Sequence, residues 1–441
     1  MTDRIGELDR RHLWHPFTQQ RDWEAEDQVV IERAEGTDLI DTGGRRYIDG
    51  VSSLWCNVHG HRHPLIDAAI DEQLGRVAHS TMLGLTHPPA TELAARLVEL
   101  APPGLSRVFY SDAGATAVEI ALKMSFQYWR QRGDGHVGRT SFVCLEHAYH
   151  GDTIGAVSVG GIDLFHAAYG PLLFPAHRVA PGDEAALETV LERHADEIAA
   201  VIVEPLVQGA AGMRVQPPGF LRAVREACDR HDVLLICDEV ATGFGRTGTM
   251  FACEQERVAP DFLCLGKGLT GGYLPLAATL TTERVYEGFL GAPEDARTFF
   301  HGHTFTGNPL ACAAALASLE AFERDQTLLR LQPKIRLLGE LLAEVRGMPE
   351  VAEVRGRGFM AGIDLGEHDP ALRLGHRVTL EARRRGAIIR PLGDVVVLVP
   401  PLAISKDDLR RLVEIAAEAI HAAVAEAYPR VEAPTPLRTA A

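Results

Sequence analysis

Apolar and polar positions along most of this chain follow one of two periods. Short apolar runs bounded by turn residues are typical of strands buried on both faces. Longer stretches in which apolar residues return every three or four positions are typical of helices. The strands predicted in the middle of the chain are 107–111, 141–145, 154–159, 200–204, 234–238, 262–265 and 276–280. Predicted helices lie between several of them, including 115–130 and 218–231, and this alternation indicates a mostly parallel sheet covered by helices.

Both ends of the chain have a different pattern. Short strands are predicted at 29–31, 38–40 and 46–48, and helical spacing follows at 65–77 and 91–100. A helix is predicted from about 310, then strands within 358–365, 386–392 and 395–401, and a closing helix at 406–427. We therefore expect an α/β fold with a large domain at 61–320. A smaller α+β domain would combine residues 1–60 with 321–430, and the tail 431–441 is expected to be disordered.

Composition narrows the classes of function. The 441 residues carry a net charge of −16, which argues against a nucleic-acid partner held by phosphate attraction. The sequence has no apolar run of membrane length and no apolar core for a signal peptide near its start. The 7 cysteines form no C-x-x-C pair, so we expect reduced, buried thiols. These observations predict a cytoplasmic protein with no nucleic-acid partner and no membrane partner.

An acid and a lysine follow two of the apolar runs. Asp238 ends the run that begins at Val233, and Lys267 follows the run 262–265 between two glycines. Ligands of open α/β sheets bind at the carboxyl ends of the strands, so both side chains are expected to face one pocket. Desolvation lowers the pKa of a lysine amine and makes it a nucleophile toward an aldehyde. The pair therefore suggests Schiff-base chemistry, although taken alone Lys267 also fits a surface loop.

The same run also resembles the apolar-DE motif of nucleotide hydrolases. That interpretation requires a G-x-x-x-x-G-K-[ST] loop. Here Gly266-Lys267 is followed by glycine, and Asp261 stands where the first glycine should be. A second turn, Gly114-Ala115-Thr116, lies between a predicted strand and helix, where free amides and the helix dipole favour a phosphate. Beside Asp238 and Lys267, it indicates an aldehyde cofactor that carries a phosphate.

Four motifs carry a family resemblance: Asp238-Glu239, GFGRTG at 243–248, Pro260-Asp261 and GKGLTGG at 266–272. They resemble the class III, fold-type I, pyridoxal-phosphate aminotransferases, and the resemblance covers nearly the whole chain. SSLWCNVHGH, AYHGDT, HGHTFTGNPLACAAA and RPLGD are similar to a narrower branch of that family. This branch transfers an amino group by a ping-pong mechanism to 8-amino-7-oxononanoate, forming 7,8-diaminononanoate in biotin synthesis.

The resemblance also implies roles for individual residues. Lys267 would carry the cofactor as a Schiff base and later move the substrate proton, while Asp238 keeps the pyridine nitrogen protonated. Tyr149 would stack on the ring. Residues expected to hold the phosphate are Gly114, Ala115 and Thr304, with Thr304 reaching across from the partner subunit of a homodimer. His303 is a further expected contact of the cofactor.

The expected substrate contacts come from several distant segments. Arg390 would clamp a carboxylate, a bidentate role suited to a guanidinium. The other expected contacts are Phe17, Leu54, Trp55, Arg246 and Gly302. Family members that use S-adenosylmethionine as amino donor typically have Tyr where this chain has Phe17, a Trp pair at Leu54-Trp55, and often Ser at Ala115. Losing a phenol and an indole weakens recognition of adenine or a sulfonium, so we favour L-lysine as donor, with S-adenosylmethionine the alternative.

Several alternatives stay open at this stage. Another ω-aminotransferase, acting on ornithine, 4-aminobutyrate or a diamine, is the main rival, followed by an aminomutase or racemase and a non-enzymatic regulator. His59, His61 and His63 could suggest zinc, but no cysteine or carboxylate at ligand spacing completes a site, so we expect no metal. Glu204 precedes a proline and could pair with an arginine, which leaves its role undecided.

Overall fold

The structure is a computed structural model that describes residues 2–133 and 135–428. Its strands are β1 Ile31–Glu35, β2 Asp38–Asp41, β3 Arg46–Asp49, β4 Leu105–Ser111, β5 Ser141–Leu145, β6 His177–Val179, β7 Ile198–Val203, β8 Val207–Gln208, β9 Arg214–Val215, β10 Leu234–Asp238, β11 Phe262–Leu265, β12 Ala277–Thr282, β13 Glu353–Arg357, β14 Met360–Asp364, β15 Ala387–Ile388, β16 Arg390–Leu392 and β17 Val395–Leu398.

Its helical segments are α1 Thr2–His12, α2 Gln20–Glu24, α3 Ser52–Trp55, α4 Pro64–Leu74, α5 Pro88–Leu100, α6 Gly114–Gln131, α7 Ile154–Ser158, α8 Asp163–His166, α9 Glu184–His194, α10 Phe220–Arg230, α11 Glu283–Glu287, α12 Pro309–Arg324, α13 Thr327–Val345, α14 Leu374–Arg385 and α15 Lys406–Ala427. Short 3₁₀ helices lie at Ala167–Leu172, Ala252–Glu256, Lys267–Thr270, Pro293–Asp295 and Pro370–Leu372.

A seven-stranded sheet forms the centre of the molecule, in the order β4-β12-β11-β10-β7-β5-β6. The pairs from β11 to β6 are parallel, and β12 runs antiparallel to both of its neighbours, β11 and β4. Every residue of β7, β10 and β11 is buried, because helices cover both faces of the sheet. The α/β class and the mostly parallel sheet predicted from the sequence are confirmed.

The two ends of the chain meet in a second sheet. Strands β1, β2 and β3 are antiparallel, and β15 adds to β3 in parallel, with Ala387 opposite Ile48. A separate antiparallel sheet has the order β13-β14-β17-β16. Residues near both ends therefore share one sheet, which supports a joint small domain. The boundaries at 60 and 320 stay a prediction, and the tail 431–441 lies outside the described residues.

One predicted strand is wrong. Within the predicted strand 154–159, residues 154–158 form the short helix α7 instead, and four of its five residues are buried. Glu119 holds its first turn, because Oε1 accepts hydrogen bonds from the amides of Gly155 at 2.7 Å and Ala156 at 3.3 Å. A short, fully buried apolar run has the same hydrophobic pattern in a helix as in a strand, so periodicity could not distinguish the two.

Candidate active site

Asp238 and Lys267 come together at the carboxyl ends of neighbouring strands. Asp238 is the last residue of β10 and pairs with Cys264 of the parallel strand β11, three residues before Lys267. Both line one cavity of about 430 Å³. Trp55, Tyr149 and Gly114 line the same cavity.

A buried histidine holds Asp238. Nδ1 of His150 lies 2.7 Å from Oδ2 of Asp238, and the amide of Val240 donates to Oδ1 at 3.0 Å. The histidine side chain is wholly buried, and the carboxylate is 5% exposed. Both oxygens of Asp238 are thus oriented by donors while the group still faces the cavity. The sequence analysis missed His150, although it directly follows Tyr149 in the AYHGD segment.

The side-chain amine of Lys267 has a lowered pKa, so it loses its proton more easily than an exposed lysine. Burial lowers its pKa, and the nearby carboxylates of Asp238 and Glu204 offset only part of that effect. Its Nζ lies 5.5 Å from the centre of the Trp55 ring. A larger neutral fraction makes the amine a better nucleophile toward an aldehyde. The backbone of Lys267 has a φ of +39°, a strained value of the kind that clusters at functional sites.

Another part of the cavity wall is formed by the first turn of α6. Ala113 is the residue before the helix, and the amides of Gly114 and Ala115 follow it without acceptors inside the helix. A Cβ at position 114 would lie 2.4 Å from Cγ1 of Val240, so only glycine fits there. The N-terminus of this 18-residue helix is suited to an anion.

These features fit pyridoxal phosphate. The helix amides suit its phosphate, Asp238 suits a protonated pyridine nitrogen, and Lys267 suits its aldehyde. Nε2 of His150 and Nε1 of Trp55 are buried without hydrogen-bond partners among the described residues, as expected around a cavity that is filled in use.

Tyr149 and Glu204 are fastened to each other beside the cavity. Glu204 accepts hydrogen bonds from the amides of Tyr149 at 3.2 Å and Gly209 at 3.0 Å. Burial raises the pKa of Glu204 to about 7. The phenol of Tyr149 donates to Oδ2 of Asp152 at 2.8 Å, and burial raises its pKa. Glu204, whose role the sequence left undecided, thus holds the backbone that carries Tyr149.

A second cavity of about 440 Å³ is lined by Phe17, Leu54 and Arg390. The guanidinium carbon of Arg390 lies 5.5 Å from the centre of the Phe17 ring. Burial lowers the pKa of Arg390, and no acidic side chain among residues 2–133 and 135–428 forms an ion pair with it. A partly buried, unpaired guanidinium is suited to bind a carboxylate. We call this cavity the outer cavity and the one beside Lys267 the inner cavity. The turn Ser52–Trp55 contributes Leu54 to the outer cavity and Trp55 to the inner one.

Arg246 does not reach either cavity, contrary to the expected substrate contact. Its side chain is 1% exposed, and it donates to the carbonyl oxygens of Pro400 and Asn57, each at 2.7 Å, and of Trp55 at 3.4 Å. Burial lowers its pKa to about 10. The residue instead ties the N-terminal segment to the C-terminal part of the chain.

Gly302, His303 and Thr304 also lie outside both cavities. Gly302 and Thr304 are exposed, and Nε2 of His303 is 3.7 Å from Oδ1 of Asp112. Their expected roles in binding cofactor and substrate stay predictions, since the sequence analysis assigned Thr304 to the site of a second subunit.

The three clustered histidines each bind a different partner. His59 hydrogen-bonds with Ser318 at 3.1 Å, and burial lowers its pKa to about 4. His61 contacts Asp49 and Asn57, and His63 contacts Asp325. Their ring nitrogens therefore do not converge on a common point.

Comparisons with known proteins agree with this site. Residues 20–420 match the family described as Aminotransferase class-III, so the chain belongs to that family. It is a pyridoxal-phosphate-dependent transaminase of fold type I.

Individual relatives are similar over almost the whole chain. The chain is 57% identical to the adenosylmethionine-8-amino-7-oxononanoate aminotransferase of Nitratidesulfovibrio vulgaris, covering 95% of this chain and 82% of that protein. The enzyme of the same name from Geobacter sulfurreducens is 51% identical, with 95% and 98% covered. The crystal structure of the enzyme of that name from Methanocaldococcus jannaschii superposes with a TM-score of 0.94 at 44% identity, covering 96% and 99%. A PLP-bound amine transaminase from an uncultivated Pseudomonas gives a TM-score of 0.86 at 37% identity, covering 94% and 99%.

No helix within residues 2–133 and 135–428 combines the length and apolar character that crossing a membrane requires.

Proposed function

We propose that this enzyme transfers an amino group to the ketone of 8-amino-7-oxononanoate, forming 7,8-diaminononanoate in biotin synthesis. The observation that carries the proposal is the unpaired guanidinium of Arg390 in the outer cavity, next to the cavity that holds Lys267. A substrate with a ketone near one end and a carboxylate at the other could present the ketone to Lys267 and the carboxylate to Arg390. The names of the relatives support the same acceptor.

The side chains divide the work by position. Bound pyridoxal phosphate supplies the aldehyde and the electron sink. Asp238, oriented by His150, would keep a proton on the pyridine nitrogen of the bound cofactor. Lys267 is placed to remove a proton from the substrate carbon and return it to the neighbouring position, and its lowered pKa favours the neutral amine that this step needs. The amides of Gly114 and Ala115 would hold the phosphate of the bound cofactor.

L-lysine is the amino donor that this proposal favours. Phe17 and Leu54, both in the outer cavity, provide apolar surface without a phenol or an indole for an adenosyl group. The carboxylate of lysine would bind Arg390, as the carboxylate of the acceptor does. The relatives' names specify adenosylmethionine, which makes S-adenosylmethionine the second candidate.

Separate half-reactions test acceptor and donor. The enzyme loaded with cofactor is mixed with L-lysine or S-adenosylmethionine, and loss of the Schiff-base absorbance is followed by stopped flow. We expect a fast change with lysine and little with S-adenosylmethionine, and the reverse order would refute the donor proposal. Mass detection of 7,8-diaminononanoate after addition of the keto acid tests the acceptor, and no product with either donor would refute it.

A homodimer with shared active sites completes the proposal. Exposed apolar side chains lie on two adjoining segments, with Leu83 84% and Phe300 81% exposed, and the rings of His79 and Phe305 are 4.8 Å apart. Such a patch is typical of an interface between subunits. Thr304, exposed on the same surface, would then reach the cofactor phosphate of the other subunit.

The proposed location is the cytoplasm. All seven cysteines are free, and six of them are buried, which fits a reducing compartment.

A further inference from the structure

Four consecutive residues between the two cavities have a left-handed backbone. The φ angles from Ser52 to Trp55 are 51°, 52°, 94° and 68°, and none of the four is glycine. Single left-handed residues are common, but a run of them persists only where surrounding contacts over-determine it. The turn carries Trp55 into the inner cavity and Leu54 into the outer one. Its shape therefore sets two walls of the substrate pocket at once.

The carboxylate of Asp49 accepts hydrogen bonds from the middle of this turn. Asp49 is wholly buried and accepts two hydrogen bonds from Ser53, one from the amide to Oδ1 and one from the hydroxyl to Oδ2, each at 2.8 Å. The hydroxyl of Ser52 donates to the carbonyl oxygen of Val399 at 2.6 Å. These hydrogen bonds hold the left-handed residues Ser52 and Ser53 in place.

A histidine holds the carboxylate in turn. Nε2 of His61 lies 3.1 Å from Oδ2 of Asp49, and its Nδ1 lies 3.0 Å from the amide nitrogen of Asn57. The amide of Gly60 donates to Oδ1 of Asn57 at 2.8 Å, which defines the orientation of that side chain. Because the nitrogen of Asn57 can only donate, Nδ1 of His61 accepts and Nε2 carries the proton that it donates to Asp49. Both oxygens of Asp49 are thus occupied.

We propose that Asp49 and His61 are positioning residues that set substrate affinity by holding the turn Ser52–Trp55 in its left-handed form. The proposal rests on the function proposed above and extends it to the pocket wall. Asp49 lines the outer cavity, but its side chain is wholly buried and both of its oxygens already accept hydrogen bonds. The residues that carry out the chemistry, Lys267 and Asp238, are attached to other strands.

The variant Asp49→Asn tests the role of the hydrogen bonds to Asp49, because asparagine has nearly the same side-chain volume as aspartate. Its amide nitrogen cannot accept, so the bond from Nε2 of His61 is lost, and the hydroxyl of Ser53 keeps its contact only by accepting instead of donating. In single-turnover reactions of the enzyme preloaded with the amine form of its cofactor, we expect the apparent Kd for 8-amino-7-oxononanoate to rise about tenfold or more. The limiting rate should stay within about threefold of wild type, because the reacting groups are untouched.

A glycine provides the rescue. Glycine adopts positive φ angles freely, so the double variant Asp49→Asn/Ser53→Gly should form the turn without the full grip and recover part of the lost affinity. Crystal structures of the cofactor-free variants give a second measurement that does not depend on turnover. They should show φ at residue 53 leaving the left-handed region in Asp49→Asn and returning to it in the double variant.

Asp41→Asn is the matched control. Asp41 also accepts two backbone amides, from Gly43 and Arg45 at 2.9 Å each, and the hydroxyl of Tyr47, in the same small sheet but away from the turn. This variant should lose thermal stability without changing the Kd. If fold loss prevents study of Asp49→Asn, Ser53→Ala removes one bond only and should give a smaller rise in Kd.

Three results would overturn the proposal: an unchanged Kd in Asp49→Asn, no recovery in the double variant, or an equal loss of affinity in Asp41→Asn. Failure of the proposed function is a separate result, because the wild-type enzyme would then not convert 8-amino-7-oxononanoate at all. In that case the same comparison uses the keto substrate that the wild type accepts, and the crystallographic φ angles still decide.

Discussion

Burial weakens the charged form of two lysines in this chain, and their surroundings give that change different meanings. Burial lowers the pKa of Lys334 to about 8, and its amine donates to the carbonyl oxygens of Leu402 and Ile404. Burial also lowers the pKa of Lys267, but its amine faces a cavity and an aromatic ring instead of backbone oxygens. The first amine is a structural donor, whereas the second is free to form a bond with an aldehyde.

The variant Lys267→Ala tests this difference. We expect the protein to fold and to bind cofactor through the helix amides and Asp238, but to lose the Schiff-base absorbance and turnover. Lys334→Ala serves as the control, because it removes a lysine of similar burial and should lower the thermal midpoint while keeping the absorbance. Absorbance spectra and calorimetry of both variants give the comparison. Retained turnover in Lys267→Ala would contradict the role assigned to this amine.

At the scale of single elements, the start of α6 depends on one close approach. The missing Cβ of Gly114 lets the helix N-terminus lie against Val240, two residues beyond Asp238. The first turn of α6, which suits the phosphate, is thereby held next to the end of β10, where Asp238 suits the pyridine ring. In α3, by contrast, none of the left-handed residues is glycine. The left-handed backbone raises the free energy of each of the four residues by about 1–2 kcal/mol, which neighbouring contacts must offset.

The variant Gly114→Ala should disturb the phosphate end only. Its new Cβ would overlap Cγ1 of Val240 at 2.4 Å, so the first turn of α6 must move and its amides lose their alignment. We expect the Kd for pyridoxal phosphate, measured by equilibrium dialysis, to rise about tenfold or more.

A rescue variant and a control variant show whether the overlap with Val240 causes the weaker binding. Gly114→Ala/Val240→Ala removes the overlapping atom and should recover most of the affinity. Gly339→Ala, in the open interior of α13, has no atom within 4 Å of the new Cβ and should leave cofactor binding unchanged. Wild-type affinity in Gly114→Ala would show that the helix start does not hold the phosphate.

Some elements could be predicted from the sequence because a local pattern defines them. The runs ending at Asp238 and before Lys267 are bounded on both sides, and their strands are confirmed. Strand alternation sends Glu239 away from the cavity, where its carboxylate accepts the amides of Ala252 and Cys253 at 2.7 and 2.8 Å. The apolar pattern already favours Asp238 as the residue that faces the cavity, because it ends the run, and the family resemblance implies the same residue.

Other parts of the site depend on contacts between distant residues and could not be predicted in this way. His150 reaches Asp238 across 88 positions of sequence, and Arg246 reaches Pro400 across 154. The residues next to an arginine in the sequence do not tell whether its side chain binds carbonyl oxygens of the protein, as Arg246 does, or a substrate. The grip of Asp49 on Ser53 spans only 4 positions, but nothing in the sequence indicates four left-handed residues without glycine.

At the scale of the whole molecule, the proposed homodimer would have active sites that use both subunits. Mixing two inactive variants tests this directly. Lys267→Ala lacks the amine, and Thr304→Glu places a negative charge where Thr304 of the partner subunit would meet the phosphate. In a mixed dimer, one site combines the intact Lys267 of one chain with the intact Thr304 of the other.

After denaturation and refolding together, the mixture should regain about a quarter of wild-type activity, since half of the dimers are mixed and half of their sites are intact. Each variant refolded alone stays inactive and serves as the control. Sedimentation velocity checks that both variants form dimers. If the mixture gains nothing although mixed dimers form, Thr304 serves the site of its own chain or none.

The pairing of β3 with β15 has a consequence for how the enzyme is made. Ile48 and its partner Ala387 are about 340 residues apart, so the N-terminal strands leave the ribosome long before the strand that completes their sheet. At about 5–20 residues per second, this interval lasts about 20 to 70 seconds, during which β3 has an open edge. A nascent chain stalled before β15 already contains Asp238 and Lys267 but has no finished wall for a substrate, so binding competence arrives only with the last stage of synthesis.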